Sequence, residues 1–328
     1  MVTNSERYSI KDEDIKIFTG NSNMELARDI AAHLEIPLSH AIVDRFENGE
    51  IKVKIEESVR GYEVFVIQSM CCPVSDNIME LLIMCDALER ASATSVNVVV
   101  PYFGYAKQEK KTAGREPISA KLIANIMTVA GASRVVTMDL HAAAIQGFFD
   151  IPVDNLYALP LFVHYYYNKG LRGKDIVVVS PDAGGVARAR HFAERLGTTM
   201  AVIFKRRPEP DQNEIIEMVG DVKGKKAIII DDMISTGGTL VKGAEKLIEK
   251  GATEIYACAT HPILAADAIK IINDSPITEV AITDTIPIPE AALRGKFVKI
   301  SVASTFGEAI RRNFFNLSVS TLFDQKYK

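Results

Sequence analysis

Cysteine is scarce in this 328-residue chain: Cys71, Cys72, Cys85 and Cys258 form no CxxC pair and join no His/Cys cluster of metal-ligand spacing. A structural zinc site is therefore not expected, and buried or loop thiols are the simplest reading. Positive charge is not in excess either. Lys and Arg number 38 against 42 Asp and Glu, a formal net charge of −4. A general nucleic-acid binder wants a basic face, so no nucleic-acid partner is expected, although a local anion site is compatible with this balance. No apolar run reaches membrane-spanning length. The opening MVTNSERYSIKDED is polar, unlike a secretion signal. The expectation is a soluble, reduced, cytoplasmic protein with no membrane partner.

What is present is a globular composition, 48% hydrophobic and 24% charged, on a chain long enough for two domains. Residues 1–14 read as a flexible polar extension. Compact β-branched runs follow at 15–20, 64–70, 96–103, 134–140, 175–182, 200–205, 227–232 and 254–260. Helical patterns separate most of them, beginning with 24–36, which stops before Pro37. Continuous apolar strands alternating with helices predict a parallel sheet covered on both faces. A faint repeat is visible. VRGYEVFVIQSM, a helix and SVNVVVPY parallel VKGKKAIIIDDM, a helix and EIYACATH, with Gly61 answering Gly224. Two related α/β domains in tandem would produce it, as would a chance likeness between two βαβ units.

The strongest chemical signal is AIIIDDMISTGGTL, 227–240. An apolar strand delivers Asp231 and Asp232 to its carboxyl end, where open α/β sheets bind ligands. ISTGGT then turns into a helix near Thr239. Glycines let backbone approach a phosphate, and N–H groups at a helix start favour an anion. Two carboxylates there would repel a phosphate unless they bind sugar hydroxyls or Mg²⁺. The plain alternative is a Gly-rich turn with acidic caps, but adjacent aspartates after a buried strand are costly without a ligand. The spacing fits neither a Walker loop nor a GxGxxG fingerprint. KRRPEPDQNEIIEMVGD, 205–221, reads as an exposed, mobile loop after a strand.

IDDMISTGGT resembles the phosphoribosyl-diphosphate motif common to type I phosphoribosyltransferases and ribose-phosphate diphosphokinases. KIFTGNSNMELA, RFENGE, DLHAAAIQGFFDIPVDNL, SPDAGGVARAR with FKRRP, and ISVASTFGEAIRRNFFNLSVSTLF extend the resemblance to the diphosphokinases over roughly residues 15–323. It implies an α/β fold of two phosphoribosyltransferase-like domains, each a mainly parallel sheet flanked by helices. Residues 15–157 would form the nucleotide side and 158–300 the ribose 5-phosphate side, with 301–328 packing back on the first domain. It further implies an enzyme that transfers the β,γ-diphosphoryl group of Mg-ATP to the anomeric hydroxyl of ribose 5-phosphate. A homo-oligomer of dimers built into hexamers is implied as well.

The resemblance also implies residue roles. Phe46, Asn48, Gly49 and Glu50, supplied by a neighbouring subunit, would contact ATP together with Lys107, Gln108 and His141. Asp231, Asp232, Ser235, Thr236, Gly237, Gly238 and Thr239 would hold ribose 5-phosphate. His141 and Asp182 would sit at Mg²⁺. Lys205 and Arg207 would close over the transferring phosphates as catalytic cations. Bare pattern says less: a lone histidine at a strand end is more often structural, Pro-Asp-Ala-Gly-Gly reads equally as a turn, and a charge run is usually a solvated face. Lys107 stands where many members have Arg and lacks its fork; Asn48 and Ser235 replace common aspartates; Ala143 and Ala144 replace Gly and Gln. Two other readings are a type I phosphoribosyltransferase, which would be shorter, and a non-catalytic regulatory relative, against which the retained His141, Asp182, Lys205, Arg207 and loop aspartates argue.

Overall fold

The computed structural model describes residues 10, 14–206 and 215–322, and the chain divides into two compact units. The first comprises the described residues up to 157 together with 285–287 and 301–322. Its core is a five-stranded parallel sheet in the order β1-β4-β5-β6-β7. These strands are β1 (Ile15–Thr19), β4 (Glu63–Ile67), β5 (Ser95–Val100), β6 (Arg134–Met138) and β7 (Val153–Leu156). Their β-branched residues are buried almost throughout, as expected of strands covered on both faces. The helices α1 (Met24–Leu34), α2 (Val74–Arg90) and α3 (Ser119–Val129) follow the strands. The Asn23 side chain caps α1 by accepting from Leu26 N, and a left-handed Glu35 ends it. The helix α9 (Ala303–Phe314) packs on α1. There Gly307 leaves room for His33: a Cβ on it would lie 2.5 Å from the imidazole Cδ2.

A separate antiparallel pair, β2 (Ala41–Arg45) and β3 (Ile51–Ile55), carries RFENGE at its tip. Part of its signal was present in the sequence: Asn48-Gly49 followed by the alternating apolar residues Ile51, Val53 and Ile55.

The second unit holds residues 158–284 and 288–300. Its seven-stranded sheet has the order β10-β9-β8-β11-β12-β13-β14. The strands are β8 (Ile176–Ser180), β9 (Thr199–Arg206), β10 (Ile215–Val219), β11 (Lys226–Ile234), β12 (Glu254–Pro262), β13 (Ile277–Thr283) and β14 (Phe297–Ile300). The helices are α4 (Leu159–Asn168), α5 (Val186–Leu196), α6 (Gly238–Glu249), α7 (Ala268–Asn273) and α8 (Glu290–Leu293). From β8 the chain builds outward through β9 and β10, then returns to lay β11 on the other side of β8. The sheet therefore reverses direction between β8 and β11. No helix among the described residues is long and apolar enough to cross a membrane.

Both copies of the repeat use the same local bonds. Gly61 and Gly224 are left-handed, with φ of 83° and 74°. Thr94 N donates to Tyr62 O as Thr253 N donates to Lys225 O, each fastening the start of one strand to the start of its neighbour.

One expectation is corrected. The segment 205–221 is not a loop throughout: Ile215–Val219 forms the antiparallel edge strand β10 against β9. Ile215, Ile216, Met218 and Val219 supply the strand-forming run that the charged and Pro-rich residues before it hide. Gly220 ends the hairpin with φ of 115°, where a Cβ would stand 2.8 Å from Ala201 Cα on β9. Gly220→Ala should therefore cost about 1–3 kcal/mol and lower the melting temperature by on the order of 5 °C. A thermal melt checks this; coincidence with the parent would mean that the β9–β10 pairing relaxes to admit the methyl.

Candidate active site

The reversal between β8 and β11 opens a crevice at their carboxyl ends, the usual ligand position of such sheets. Pairing of β11 with β8 ends at Ile229↔Val179, whereas pairing with β12 continues to Ile234↔Pro262. Asp231 and Asp232 thus lie within β11, beyond the reach of β8. Asp231 is half-buried and Asp232 buried. Asp231 Oδ1 accepts the Asp232 N–H at 2.9 Å.

Two loops flank them. After β8, Ser180 Oγ donates to Asp182 O at 2.7 Å and Gly185 N donates to Asp182 Oδ1 at 2.9 Å. Asp182 therefore braces the start of α5 with one carboxylate oxygen while its side chain remains at the surface. Gly185 is required here, since a Cβ would come 2.8 Å from Ser180 Oγ. After β11, Ser235 O and Ile234 O accept from Ala265 N and Leu264 N, both at 3.0 Å, which fixes the loop. Gly237, with φ of 77°, turns the chain into α6. A Cβ on Gly238 would meet nothing within 4 Å, so the space above the helix start is open. Ser235, Thr236, Gly237, Gly238 and Thr239 form this turn and the first residues of α6. The seven residues predicted for ribose 5-phosphate are thus contiguous at one mouth of one sheet.

Arg188 completes the crevice and was not singled out in the sequence. It lies in the first turn of α5, and its Nη1 stands 3.8 Å from Asp231 Oδ1 and 3.8 Å from Asp232 Oδ1. The only signal for it was its place in SPDAGGVARAR. Burial, reinforced by the bond to Asp232 and its negative charge, pushes the Asp231 carboxyl up to about 8, and the Arg188 cation works in the opposite direction.

The residues expected to contact the nucleotide lie in the first unit. Phe46 is 51% exposed at the hairpin tip, and the Lys52 ammonium stands 5.7 Å from its ring centroid. Phe46 N donates to Glu50 O, Gly49 N donates to Phe46 O, and Asn48 Oδ1 accepts from Glu50 N, so the turn is internally bonded. Arg45 ties the hairpin to α2 through Asp76 at 2.7 Å. Lys107 and Gln108 are exposed on the loop after β5, where Gln108 Oε1 accepts the Ser119 hydroxyl. His141 is exposed just past β6. Before it the chain turns at Asp139, a buried residue with φ of 43°, and Asn155 Oδ1 holds Leu140 N at 3.1 Å. A non-glycine residue in that conformation is the kind of strain that functional loops retain. A cleft of about 540 Å³ in the same unit, lined in part by Arg134, Asp154, Tyr157 and Arg312, includes none of the predicted site residues. Lys205 belongs to the end of β9, and Arg207 lies outside the described residues.

Residues 15–131 match the N-terminal domain of ribose phosphate pyrophosphokinase, and residues 206–324 the phosphoribosyl synthetase-associated domain. The ribose-phosphate pyrophosphokinase of Caldanaerobacter subterraneus subsp. tengcongensis is 57% identical over 309 residues, covering 94% of this chain and 98% of the relative. The chain belongs to the ribose-phosphate pyrophosphokinase family. The family's Oceanobacillus iheyensis member is 52% identical over 96% of this chain and 99% of its own length. The crystal structure of phosphoribosylpyrophosphate synthetase from Mycobacterium smegmatis superposes with a TM-score of 0.87 at 40% identity, covering 92% of this chain and 99% of that one. The α/β fold, the family and the diphosphotransferase activity expected from the sequence all stand, and a single-domain phosphoribosyltransferase does not account for matches of this length.

The raised Asp231 carboxyl has a stability consequence. Its ordinary value is 3.8, so between about pH 4 and 8 the folded chain retains a proton that the unfolded chain releases. Its contribution to stability falls as pH rises through this window and levels off above about 8. Asp231→Asn removes the carboxyl, so the variant's melting temperature should gain on the parent's as pH rises from 5 to 8. A constant gap in ligand-free melts would mean that Asp231 is already charged at pH 5.

Proposed function

We propose that this chain transfers the β,γ-diphosphoryl group of ATP to the anomeric hydroxyl of ribose 5-phosphate, giving 5-phosphoribosyl 1-diphosphate and AMP. The observation that carries the reading is the carboxylate pair of β11 set immediately before the Gly237 turn of α6. Vicinal sugar hydroxyls donate to Asp231 and Asp232, and the 5-phosphate rests on the N–H groups of the turn. The anomeric oxygen then attacks the β-phosphorus. The bond from that phosphorus to the α,β-bridging oxygen breaks, AMP leaves with the oxygen, and the anomeric proton is lost.

Such a transfer needs in-line placement and cations around developing charge. Lys205 as a point charge and Arg207 as a fork are assigned that role. Phe46 offers a ring for adenine, Asn48, Gly49 and Glu50 surround it, and Lys107 and Gln108 serve the triphosphate. Mg²⁺ typically takes one or two carboxylates plus substrate phosphates and water. Asp182, exposed at a strand end, suits that donor set, and the described residues contain no group of three or more His, Cys, Asp or Glu that could hold a metal. His141, exposed just past β6, is assigned to the nucleotide phosphates and to the same ion. When bound, Mg²⁺ neutralises charge on the phosphoryl oxygens. Assembly of dimers into hexamers and a cytoplasmic setting complete the proposal, on the family likeness.

Asp232→Asn should raise the KM for ribose 5-phosphate far more than that for ATP; equal shifts would remove the sugar assignment. Lys205→Ala should melt like the parent and still bind both substrates. Its turnover should fall by on the order of a thousand-fold. Retention of more than about a tenth of parental turnover would make Lys205 an ordinary surface charge.

A further inference from the structure

Arg188 has no part in the roles assigned so far. Its side chain is only 21% exposed, and it reaches into the crevice from the α5 side. Its approaches of 3.8 Å to Asp231 Oδ1 and 3.8 Å to Asp232 Oδ1 both exceed hydrogen-bond length. An arginine that merely tied α5 to β11 would form the short bidentate fork that guanidinium and carboxylate favour. Here a single cation is shared equally between two carboxylates without being clamped to either.

The placement matters because two adjacent carboxylates at a strand end are also the chemistry of a divalent-cation site. Recognition of a diol needs their acceptor oxygens but not a metal ion held between them. We infer that Arg188 is a specificity-determining residue, holding the place of a cation beside Asp231 and Asp232 and so reserving the pair for the neutral hydroxyls of a sugar. The inference rests on the ribose reading of the pair. Arginine suits this position because its charge is permanent, and its delocalised plane is weakly hydrated and tolerates partial burial. It also offsets the desolvation that opposes ionisation of the pair.

The test is a Mn²⁺ titration followed by electron paramagnetic resonance, with neither nucleotide nor sugar present. Arg188→Gln keeps bulk and polarity but removes the charge. It should gain a Mn²⁺ site absent from the parent, and the double variant with Asp231→Asn should lose it again. In steady-state assays, Arg188→Gln should raise the KM for ribose 5-phosphate roughly ten- to a hundredfold, with the KM for ATP changing much less. Arg188→Lys should recover much of that loss. Unaltered Mn²⁺ binding in the Gln variant, or a gained site indifferent to Asp231→Asn, overturns the inference. Should Arg188→Gln not fold, the parent supplies the measurement: Asp231→Asn alone should leave the number of Mn²⁺ sites unchanged, and loss of one site would mean that the pair already accepts a cation beside Arg188. Because the titration contains no sugar, its failure is separate from failure of the ribose reading, which Asp232→Asn tests.

Discussion

Two carboxylates side by side at the end of a central strand, β11, in a largely apolar sheet are the constraint around which the second unit is arranged. Charge in such a place is expensive unless something compensates for it. β11 runs past the end of β8, which removes a neighbouring strand from one flank of the pair. The vacated flank receives Arg188 from α5 and the braced loop of Asp182. Downstream, the Gly237 turn brings a helix start, with its partial positive charge, to the same mouth. None of these devices improves the packing of the sheet. Together they make a polar crevice at the one point where strand order reverses.

The first unit shows the same frame without that constraint. By the repeat, Gln68 and Ser69 occupy the positions of Asp231 and Asp232. Both are buried and bonded within the chain: Gln68 Oε1 accepts from the Ser22 hydroxyl at 2.7 Å, Gln68 Nε2 donates to Glu80 at 2.9 Å, and Ser69 N donates to Ser22 Oγ at 2.8 Å. Gly20 makes room, since a Cβ there would fall 2.5 Å from Gln68 Oε1. Glu80 in turn accepts from Asn21, whose amide also reaches Val43 of the hairpin at 3.0 Å. The polar groups at this strand end are directed inward, into joining β1, β4, α2 and the hairpin that carries Phe46.

Much of this was legible in the sequence. The buried strands announce themselves as β-branched runs, and the loop after β11 as carboxylates, glycines and a helix start in succession. What escaped notice has physical reasons. β2 and β3 are half-exposed, so their alternating pattern is weaker than a continuous apolar run. β10 sits behind a stretch of prolines and charges, and β13 and β14 are short or interrupted by polar residues. Arg188 escaped because its role is a matter of three dimensions: an arginine among three basic residues on an exposed helix, VARARHFAERL, reads as a solvated charge until the fold turns one of them toward β11. The hairpin register of Phe46 and the braced carboxylate of Asp182 likewise depend on bonds that no spacing encodes.

The Ser22 hydroxyl, seated between Gln68 and Ser69, is in effect a tethered ligand. A hydroxyl supplied by the chain is present at unit effective occupancy whatever the composition of the solution. The second unit places Arg188 beside its carboxylates instead, and in the proposed reading a sugar's hydroxyls arrive from outside. In that reading mass action acts on the second unit: sugar phosphate would stabilise the fold that binds it by an amount that grows with the logarithm of its concentration, whereas the Ser22 hydroxyl is present at any concentration. Two like α/β frames thus treat the same strand end differently, one filling it with its own side chains and the other, in the proposed reading, leaving it to substrate.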